Sequence, residues 1–119
     1  MATKSIAFHA IVATLHLQYA GQEMVLDQTG SLLTLGRDAQ CDIVINDRNA
    51  SRQHARIERR RDKFYLVDQS TNGTFLSFAD EPELALHREE VMLRSSGRIT
   101  FGHSDPSPET FHVLFTLRG

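Results

Sequence analysis

Apolar and polar residues alternate one by one along most of this chain. Apolar side chains occupy every second position from Ile11 to Tyr19, and the same alternation returns from Phe111 to Leu117. Because successive side chains of a β-strand point to opposite faces, each of these segments predicts a strand with one buried face. Shorter apolar stretches predict further strands at residues 24–26, 32–35, 43–45, 55–57, 64–67, 74–78 and 98–101.

Turn-forming residues separate the predicted strands. Polar residues, Gly and Pro favour turns or loops at residues 20–22, 27–30, 60–63 and 103–109. Residues 82–93 are harder to assign, because their Leu, Ala and Glu content also suits a short helix. A lone helix would need its own place on a sheet-covered core, so we predict strand or loop there. Short strands at close spacing predict an all-β fold of the β-sandwich type.

The bulk properties of the chain are those of one globular domain. Its 119 residues are 40% hydrophobic and 24% charged, which suits a single closed core. No apolar run approaches the roughly 18 residues that a membrane span requires, and residues 1–5 are too few and too polar for a secretory signal. Residues 1–7 are expected to form a flexible tail. The single Cys41 excludes an internal disulfide and a multi-cysteine metal site, and it favours a cytoplasmic setting.

Charge is distributed unevenly along the chain. The net charge of −2 argues against a dedicated nucleic-acid binder, whose affinity would depend on neutralising backbone phosphates. A basic run lies between residues 48 and 63, whereas the chain becomes acidic after residue 80. The simplest interpretation of the basic run is a solvated face, and the alternative is a rim that attracts an anionic ligand. Its members are Arg48, Arg52, Arg56, Arg59, Arg60, Arg61 and Lys63.

Three short motifs carry groups that suit a phosphate ligand, and the first is Gly36-Arg37 at the end of a predicted strand. A glycine at this point allows a sharp exit of the chain and a close approach of backbone to ligand. The guanidinium group of Arg37 is a planar fork with a permanent positive charge. It therefore matches the geometry and the charge of phosphate oxygen atoms.

The second motif is Ser51-Arg52-Gln53-His54. The Ser51 hydroxyl can donate a hydrogen bond to a phosphate oxygen, and Arg52 can add side-chain or backbone contacts. A serine near a histidine also suits a nucleophile and its base, but the hydrolase motif Gly-x-Ser-x-Gly is absent from the chain. We expect His54 to brace two loops, since an imidazole can donate one hydrogen bond and accept another.

The third motif is Thr71-Asn72-Gly73, in which Asn-Gly is a strong turn signal. The Thr71 hydroxyl can reach a phosphate group. The Asn72 amide can accept a hydrogen bond from an extended peptide backbone and donate another to it. Gly73 keeps the turn tight.

The spacing of the three motifs resembles that of the forkhead-associated (FHA) domain, a module that binds phosphothreonine peptides. Ser51 follows Arg37 by 14 residues, and Asn72 follows His54 by 18 residues. The resemblance extends over residues 8–117, which we expect to form the domain. It implies a β-sandwich of about 11 mostly antiparallel strands, with the binding loops clustered at one end.

The resemblance also implies which residues bind the phosphopeptide. Arg37 and Ser51 look like the primary phosphate ligands. Arg52 and Thr71 look like supporting ligands, and Asn72 looks like the clamp on the peptide main chain.

Two further groups of residues take their roles from the resemblance. Gly36, His54 and Gly73 look architectural. Arg48 and Asn49 lie where family members read the residue three positions after the phosphothreonine, and these two side chains would favour an acidic or polar residue there.

The expected parent protein is larger than this chain. Residues 88–102 resemble the matching part of FHA domains attached to bacterial adenylate and guanylate cyclases. The chain ends soon after its last predicted strand, which is typical of an excised domain. The domain itself is predicted to be a binding module rather than an enzyme, and any catalysis would belong to a neighbouring domain such as a nucleotide cyclase.

Other functions remain open at this point. An FHA-like scaffold can act as a protein-interaction or dimerisation module without any dependence on phosphate. Thr3, once phosphorylated, is also a candidate for self-association. The six histidines form no H-x-x-x-H pair and no glycine-rich nucleotide loop is present, which disfavours an enzyme or a metal site. The favoured interpretation is a cytoplasmic reader of phosphothreonine peptides, with no cofactor, no nucleic acid and no membrane among its partners.

Overall fold

The structure is a computed structural model that describes residues 13–104 and 112–119. Within these two ranges the chain forms eleven β-strands and no helix. The strands are β1 (Thr14–Tyr19), β2 (Gln22–Leu26), β3 (Leu32–Gly36), β4 (Ile43–Val44), β5 (Ala55–Arg60), β6 (Lys63–Asp68), β7 (Thr74–Phe78), β8 (Leu84–Leu86), β9 (Glu90–Leu93), β10 (Ser96–Phe101) and β11 (Val113–Arg118).

The strands form two sheets around a shared apolar core. The six-stranded sheet has the order β2-β1-β11-β10-β7-β8, and the five-stranded sheet has the order β4-β3-β5-β6-β9. Paired strands run antiparallel except β3 and β4, which are parallel at Leu35 with Ile43 and at Gly36 with Val44. The predicted all-β sandwich of mostly antiparallel strands is confirmed.

Residues 82–93 contain two strands, which confirms the choice against a helix. β8 pairs with β7 at one edge of the six-stranded sheet, and β9 pairs with β6 at one edge of the five-stranded sheet. Both strands are short, and their outward side chains are largely exposed. An edge strand has a partner on one side alone, so its sequence needs less apolar character than a central strand.

Strand boundaries match the prediction in β7 and differ from it by up to three residues elsewhere, because pairing with a neighbour extends or ends a strand. Arg60 and Lys63 pair across the β5–β6 hairpin, so the turn between them holds just Arg61 and Asp62. β10 begins at Ser96, two residues before the predicted start. The predicted strand starts in residues 11–12 and at Phe111, the loop after residue 104 and the tail at residues 1–7 lie outside the described residues.

Alternate side chains of both sheets meet in one core. In β6, Phe64 and Leu66 are completely buried, whereas Tyr65 and Val67 between them are partly exposed. The removal of these apolar side chains from water is the main force that stabilises the sandwich. The loops at the strand ends are thereby carried on a rigid support.

Gly97 in β10 is closely approached by both neighbouring strands of the six-stranded sheet. A Cβ atom at this position would lie 2.1 Å from the Ser77 carbonyl oxygen of β7 and 2.8 Å from the Phe115 ring of β11. The Phe115 ring packs edge-on against Phe78, with the ring centroids 5.9 Å apart. Residue 97 therefore has no space for a side chain, and this aromatic pair depends on the glycine.

We predict that Gly97→Ala lowers the free energy of unfolding by about 1 to 3 kcal/mol, because the added methyl group forces β7 or the Phe115 ring to move. Gly30→Ala is the matched control, since a Cβ atom there meets just the Leu26 side chain at an ordinary 3.5 Å. Urea unfolding followed by circular dichroism measures both variants. Equal midpoints for the two variants would contradict the prediction.

Candidate functional site

Four connections lie together at one end of the sandwich. Three join strands and contain all the residues predicted to contact a ligand, and the fourth follows β10. Their convergence depends on strand order, because β3, β5, β6 and β10 all begin or end at this edge. We call them the first loop (residues 37–42), the second loop (residues 45–54), the third loop (residues 69–73) and the fourth loop (residues 102–104).

Backbone hydrogen bonds hold the first loop against the second. The Arg37 N–H donates to the Ser51 carbonyl at 3.0 Å, and the Asp38 N–H donates to the Arg52 carbonyl at 3.0 Å. Gly36 makes this contact sterically feasible, since a Cβ atom there would lie 2.0 Å from the Arg52 carbonyl oxygen. The crossing of these two backbones therefore requires a glycine at the end of β3.

Arg37 combines an anchored stem with a guanidinium group that faces solvent. Its Nε–H donates to the Ala50 carbonyl of the second loop. Among the described residues, its two terminal nitrogen atoms have no hydrogen-bond acceptor. An arginine has five N–H donors, so four remain available on a side chain whose stem is held in place.

Ser51 lies between the first and third loops. Its hydroxyl oxygen accepts the Thr71 N–H at 3.1 Å, which leaves the hydroxyl hydrogen as a donor for a ligand. The side chains of Arg52 and Thr71 are exposed beside it. The structure thus brings Arg37, Ser51, Arg52 and Thr71 to neighbouring positions on three loops.

His54 is completely buried and joins the second loop to the third. Its Nδ1 accepts the Ser51 N–H at 2.9 Å, so the ring proton resides on Nε2, which donates to the Gly73 carbonyl at 2.8 Å. The ring also packs edge-on against Phe101 at 5.2 Å. Burial lowers the pKa of His54, while the Gly73 carbonyl and the Asp68 carboxylate oppose that shift. The neutral imidazole is therefore the form that matches these two hydrogen bonds, since one ring nitrogen accepts and the other donates.

This geometry does not provide a base for Ser51. Both ring nitrogens of His54 are engaged by backbone groups, and the one nearer to Ser51 accepts the backbone N–H rather than the hydroxyl. General-base catalysis requires a free nitrogen within hydrogen-bond reach of the nucleophile. The Ser51–His54 pair is accordingly an architectural contact in this structure.

Asp68 organises the third loop, and the sequence reasoning missed it. Its Oδ1 accepts the Ser70 and Thr74 hydroxyls, both at 2.6 Å, and its Oδ2 accepts the Arg88 N–H at 2.7 Å. Burial alone would raise the pKa of Asp68, but these donors lower it below its usual value. The signal in the sequence is Asp-x-Ser directly after a strand, which is typical of a side chain that caps its own turn.

Asn72 lies at the rim of the site, opposite the second loop. Its Nδ2 donates to the Asn49 carbonyl at 3.2 Å, and most of the residue is exposed. Gly73, which follows it, has a φ of 94°, a conformation that favours glycine. The predicted specificity residues Arg48 and Asn49 are exposed on the same second loop.

Much of the basic run lies away from this site and is already neutralised. Arg56 and Arg60 form ion pairs with Glu58, and Arg60 also pairs with Glu90. The guanidinium of Arg59 donates to three backbone carbonyls. These arginines are part of a solvated, ion-paired sheet face, whereas Arg37, Arg48 and Arg52 are the exposed cations on the first and second loops.

Two further features concern residues 13–104 and 112–119, the part of the chain that the structure describes. No group of three His, Cys, Asp or Glu side chains in these ranges could hold a metal ion. No helix long and apolar enough to cross a membrane occurs in the part of the chain that the structure describes.

Comparisons with known proteins identify the fold. A family model of the FHA domain matches residues 33–102, which is more than half of the chain. The chain is similar to the FHA-1 domain of Mycobacterium tuberculosis Rv1747, with a TM-score of 0.67 and 19% identity over 92% of this chain and 100% of that chain. It is also similar to the N-terminal FHA domain of S. cerevisiae RAD53P in complex with a phosphothreonine peptide, with a TM-score of 0.64 and 22% identity over 91% of this chain and 94% of that chain.

A third similar structure is the FHA domain of CT664 from Chlamydia trachomatis, with a TM-score of 0.62 and 26% identity over 89% of this chain and 97% of that chain. The comparison with curated proteins gives no match. The structural likeness covers nearly the whole of each compared domain. The fold of this chain is therefore the fold of an FHA domain.

We predict that the buried, neutral His54 costs the domain stability as the pH falls below about 6.5, where a histidine of ordinary pKa becomes protonated. The pKa of His54 is lowered in the folded state, so the unfolded chain takes up a proton in this range before the folded one does. A difference of one proton gives a slope of about 1.4 kcal/mol per pH unit. The carboxylates with lowered pKa values, such as Asp68, add a similar loss at more acidic pH.

Urea unfolding at a series of pH values measures this slope. His87→Gln, which replaces an exposed histidine, should retain it, and His54→Gln should flatten it even where the variant is less stable overall. Equal slopes for the wild-type domain and His54→Gln between about pH 7.5 and pH 5.5 would contradict the prediction.

Proposed function

This chain belongs to the FHA-domain family, and from that membership and the loop geometry we propose that it binds phosphothreonine in an extended peptide. Domains of this family are binding modules, so the proposed activity is recognition without a chemical step. The observation that carries the proposal is Arg37, whose stem is held by the Ala50 carbonyl while its terminal nitrogens remain available. An anchored cation of this kind costs little conformational entropy when an anion binds.

The phosphate group is proposed to bind between the first, second and third loops. Arg37 and Ser51 are the primary ligands in this proposal, through the guanidinium group and the hydroxyl hydrogen. Arg52 and Thr71 add donors from neighbouring exposed positions. A phosphate dianion offers several acceptor oxygens, and charge-assisted donors are the strongest partners for it.

The peptide main chain is proposed to lie across Asn72. Its amide nitrogen already donates to the Asn49 carbonyl at 3.2 Å, which fixes the orientation of the side chain and leaves its carbonyl oxygen for a peptide N–H. Arg48 and Asn49 then lie beside the residues that follow the phosphothreonine. We expect these side chains to favour an acidic or polar residue three positions after it.

The affinity expected from these contacts is moderate. Charge-assisted hydrogen bonds contribute about 1.5 to 3 kcal/mol each, and the ordering of the peptide offsets part of this gain. A Kd around micromolar, near −8 kcal/mol, is the expected result. The alternative, an interaction module that ignores phosphate, has no specific observation in its favour, because the charged and hydroxyl donors of the motif are all present and exposed or half-buried.

The setting of the domain is also part of the proposal. A cytoplasmic location is favoured by the single Cys41, which is buried as a free thiol. The domain boundary at residues 8–117, the flexible tail at residues 1–7 and self-association through phosphorylated Thr3 stay predictions. The attachment to a nucleotide cyclase or another catalytic domain stays a prediction as well, supported by the sequence of residues 88–102.

We predict that Arg37→Ala weakens binding of a phosphothreonine peptide by about 30- to 150-fold, because it removes the central charge-assisted contacts. Arg37→Lys should give an intermediate loss, since it keeps the charge but not the fork. The matched control is Arg61→Ala, which removes the same charge from the β5–β6 turn at the opposite end of β5.

Fluorescence anisotropy measures all four proteins against peptides selected from a phosphothreonine library and against their unphosphorylated counterparts. The wild-type domain and Arg61→Ala should bind the phosphorylated peptides alone, with similar affinity. Equal binding of phosphorylated and unphosphorylated peptides would overturn the proposed function in favour of a phosphate-independent module.

A further inference from the structure

The fourth loop places His103 against the second loop. The Nε2 atom of His103 lies 2.7 Å from Oδ2 of Asp47, and its Nδ1 atom lies 2.8 Å from the Ser104 carbonyl oxygen. A carboxylate and a carbonyl are both acceptors, so each ring nitrogen must carry a hydrogen to satisfy its contact. A neutral imidazole has one N–H. The geometry therefore requires the doubly protonated, positively charged form of His103.

The Asp47 side of this contact is an ionised carboxylate. Partial burial would raise the pKa of Asp47, but the Asn49 N–H and His103 lower it below its usual value. The side chains of Asp47 and His103 are 13% and 28% exposed, so water screens their charges less than on an open surface. This is a charged pair between two loops that are 56 residues apart in sequence.

Asp47 in turn shapes the part of the second loop that meets the binding residues. Its Oδ1 accepts the Asn49 N–H at 2.9 Å, and its main-chain carbonyl accepts the Ala50 N–H at 2.9 Å. The main-chain carbonyls of Asn49 and Ala50 contact residues of the neighbouring loops. Ala50 accepts the Nε–H of Arg37, and Asn49 accepts the Nδ2–H of Asn72.

The fourth loop is itself fixed next to the third. The Gly102 N–H donates to the Gly73 carbonyl at 2.9 Å, and a Cβ atom at residue 102 would lie 2.2 Å from the Asn49 carbonyl oxygen. The backbones of the second and fourth loops are therefore in direct contact. The pair of His103 with Asp47 adds a side-chain contact between the same two loops.

We propose that His103, acting through Asp47, is a positioning residue for peptide binding. As an imidazolium it holds the second loop in the shape that presents Arg37 and Asn72 to the ligand. The inference rests on the proposed phosphopeptide function, and it assigns His103 no contact with the peptide. Loss of the ring proton removes one of the two hydrogen bonds and the charge attraction, so the loop becomes looser at higher pH.

Among the residues that the structure describes, the other ionisable groups around this contact keep their charge state between about pH 6.5 and pH 9. Asp47 is ionised, and burial raises the pKa of Tyr19, whose hydroxyl accepts the Asn46 N–H at 2.8 Å. Arg48 is permanently charged. His54, whose pKa burial lowers, remains neutral in this range. As the pH rises through this range, deprotonation of His103 is therefore the change in charge expected at the contact between His103 and Asp47.

The test compares His103→Gln with the wild-type domain at about pH 6.5 and pH 9. A glutamine amide can reach one of the two acceptors and carries no charge. The probe is the phosphothreonine peptide that the wild-type domain selects from a randomised library, and the readout is the ratio of the two Kd values. Ionisation of the phosphate group affects both proteins equally, so it cancels in this ratio. His16→Gln, on the outer face of β1, is the matched control.

The expected result is that His103→Gln binds about 3- to 10-fold more weakly at the lower pH and within about twofold at the higher pH. In an Asp47→Asn background, the effect of His103→Gln on the Kd should no longer depend on pH. The reason is that an asparagine amide can donate a hydrogen bond to the neutral imidazole. A ratio near one at both pH values, or a loss that is the same at both, would overturn the proposal. A loss of equal size in His16→Gln would overturn it too.

The ring nitrogens of His103 provide a readout that needs no ligand. Their ¹⁵N chemical shifts should show two protonated nitrogens at about pH 6.5 in the wild-type domain, and a neutral ring in Asp47→Asn. A neutral wild-type ring at that pH would overturn the inference. A domain that has the doubly protonated ring but binds no phosphothreonine peptide would overturn the proposed function instead. The role of His103 in peptide binding would then be lost as well. Its contact with the second loop would stand.

Discussion

The hydrogen bonds of the buried His54 ring determine how the loops of this domain meet. The ring accepts the N–H of Ser51 and donates to the carbonyl of Gly73, so one side chain satisfies a backbone group in each of two loops. The Ser51 N–H has no other acceptor among the described residues, and a polar group left without a partner away from water costs about 1 to 3 kcal/mol. The imidazole thus holds Ser51 in position, and the Ser51 hydroxyl in turn accepts the Thr71 N–H.

The remaining contacts of the site extend this arrangement outward. Asp68 fixes the third loop through two hydroxyls and the Arg88 N–H, and Gly36 allows the first loop to cross the second. The apolar core carries these loops on strands that cannot move independently of one another. The charged and hydroxyl groups that remain exposed, above all Arg37, are therefore held in place before any ligand arrives. Such preorganisation reduces the entropy cost of binding.

The sequence was most informative where its signals are local. The alternation in β6 and β11 predicts both their strand state and their buried face, and the motif spacing indicates which loops belong together. Contacts that join distant segments were not predictable: His103 meets Asp47 across 56 residues, and Asp68 meets Arg88 across 20. The need for a glycine at residue 97 was equally hidden, because it depends on the register that places Ser77 and Phe115 beside it.

The most direct test of this account is a map of the ligand on the domain. A ¹⁵N-labelled sample is titrated with a phosphothreonine peptide and, separately, with the same peptide lacking the phosphate, and backbone amide shifts are recorded. The account predicts phosphate-dependent shifts concentrated in the first, second and third loops around Arg37, Ser51 and Thr71. Shifts that are the same for both peptides, or that concentrate on the outer face of either sheet, would contradict it.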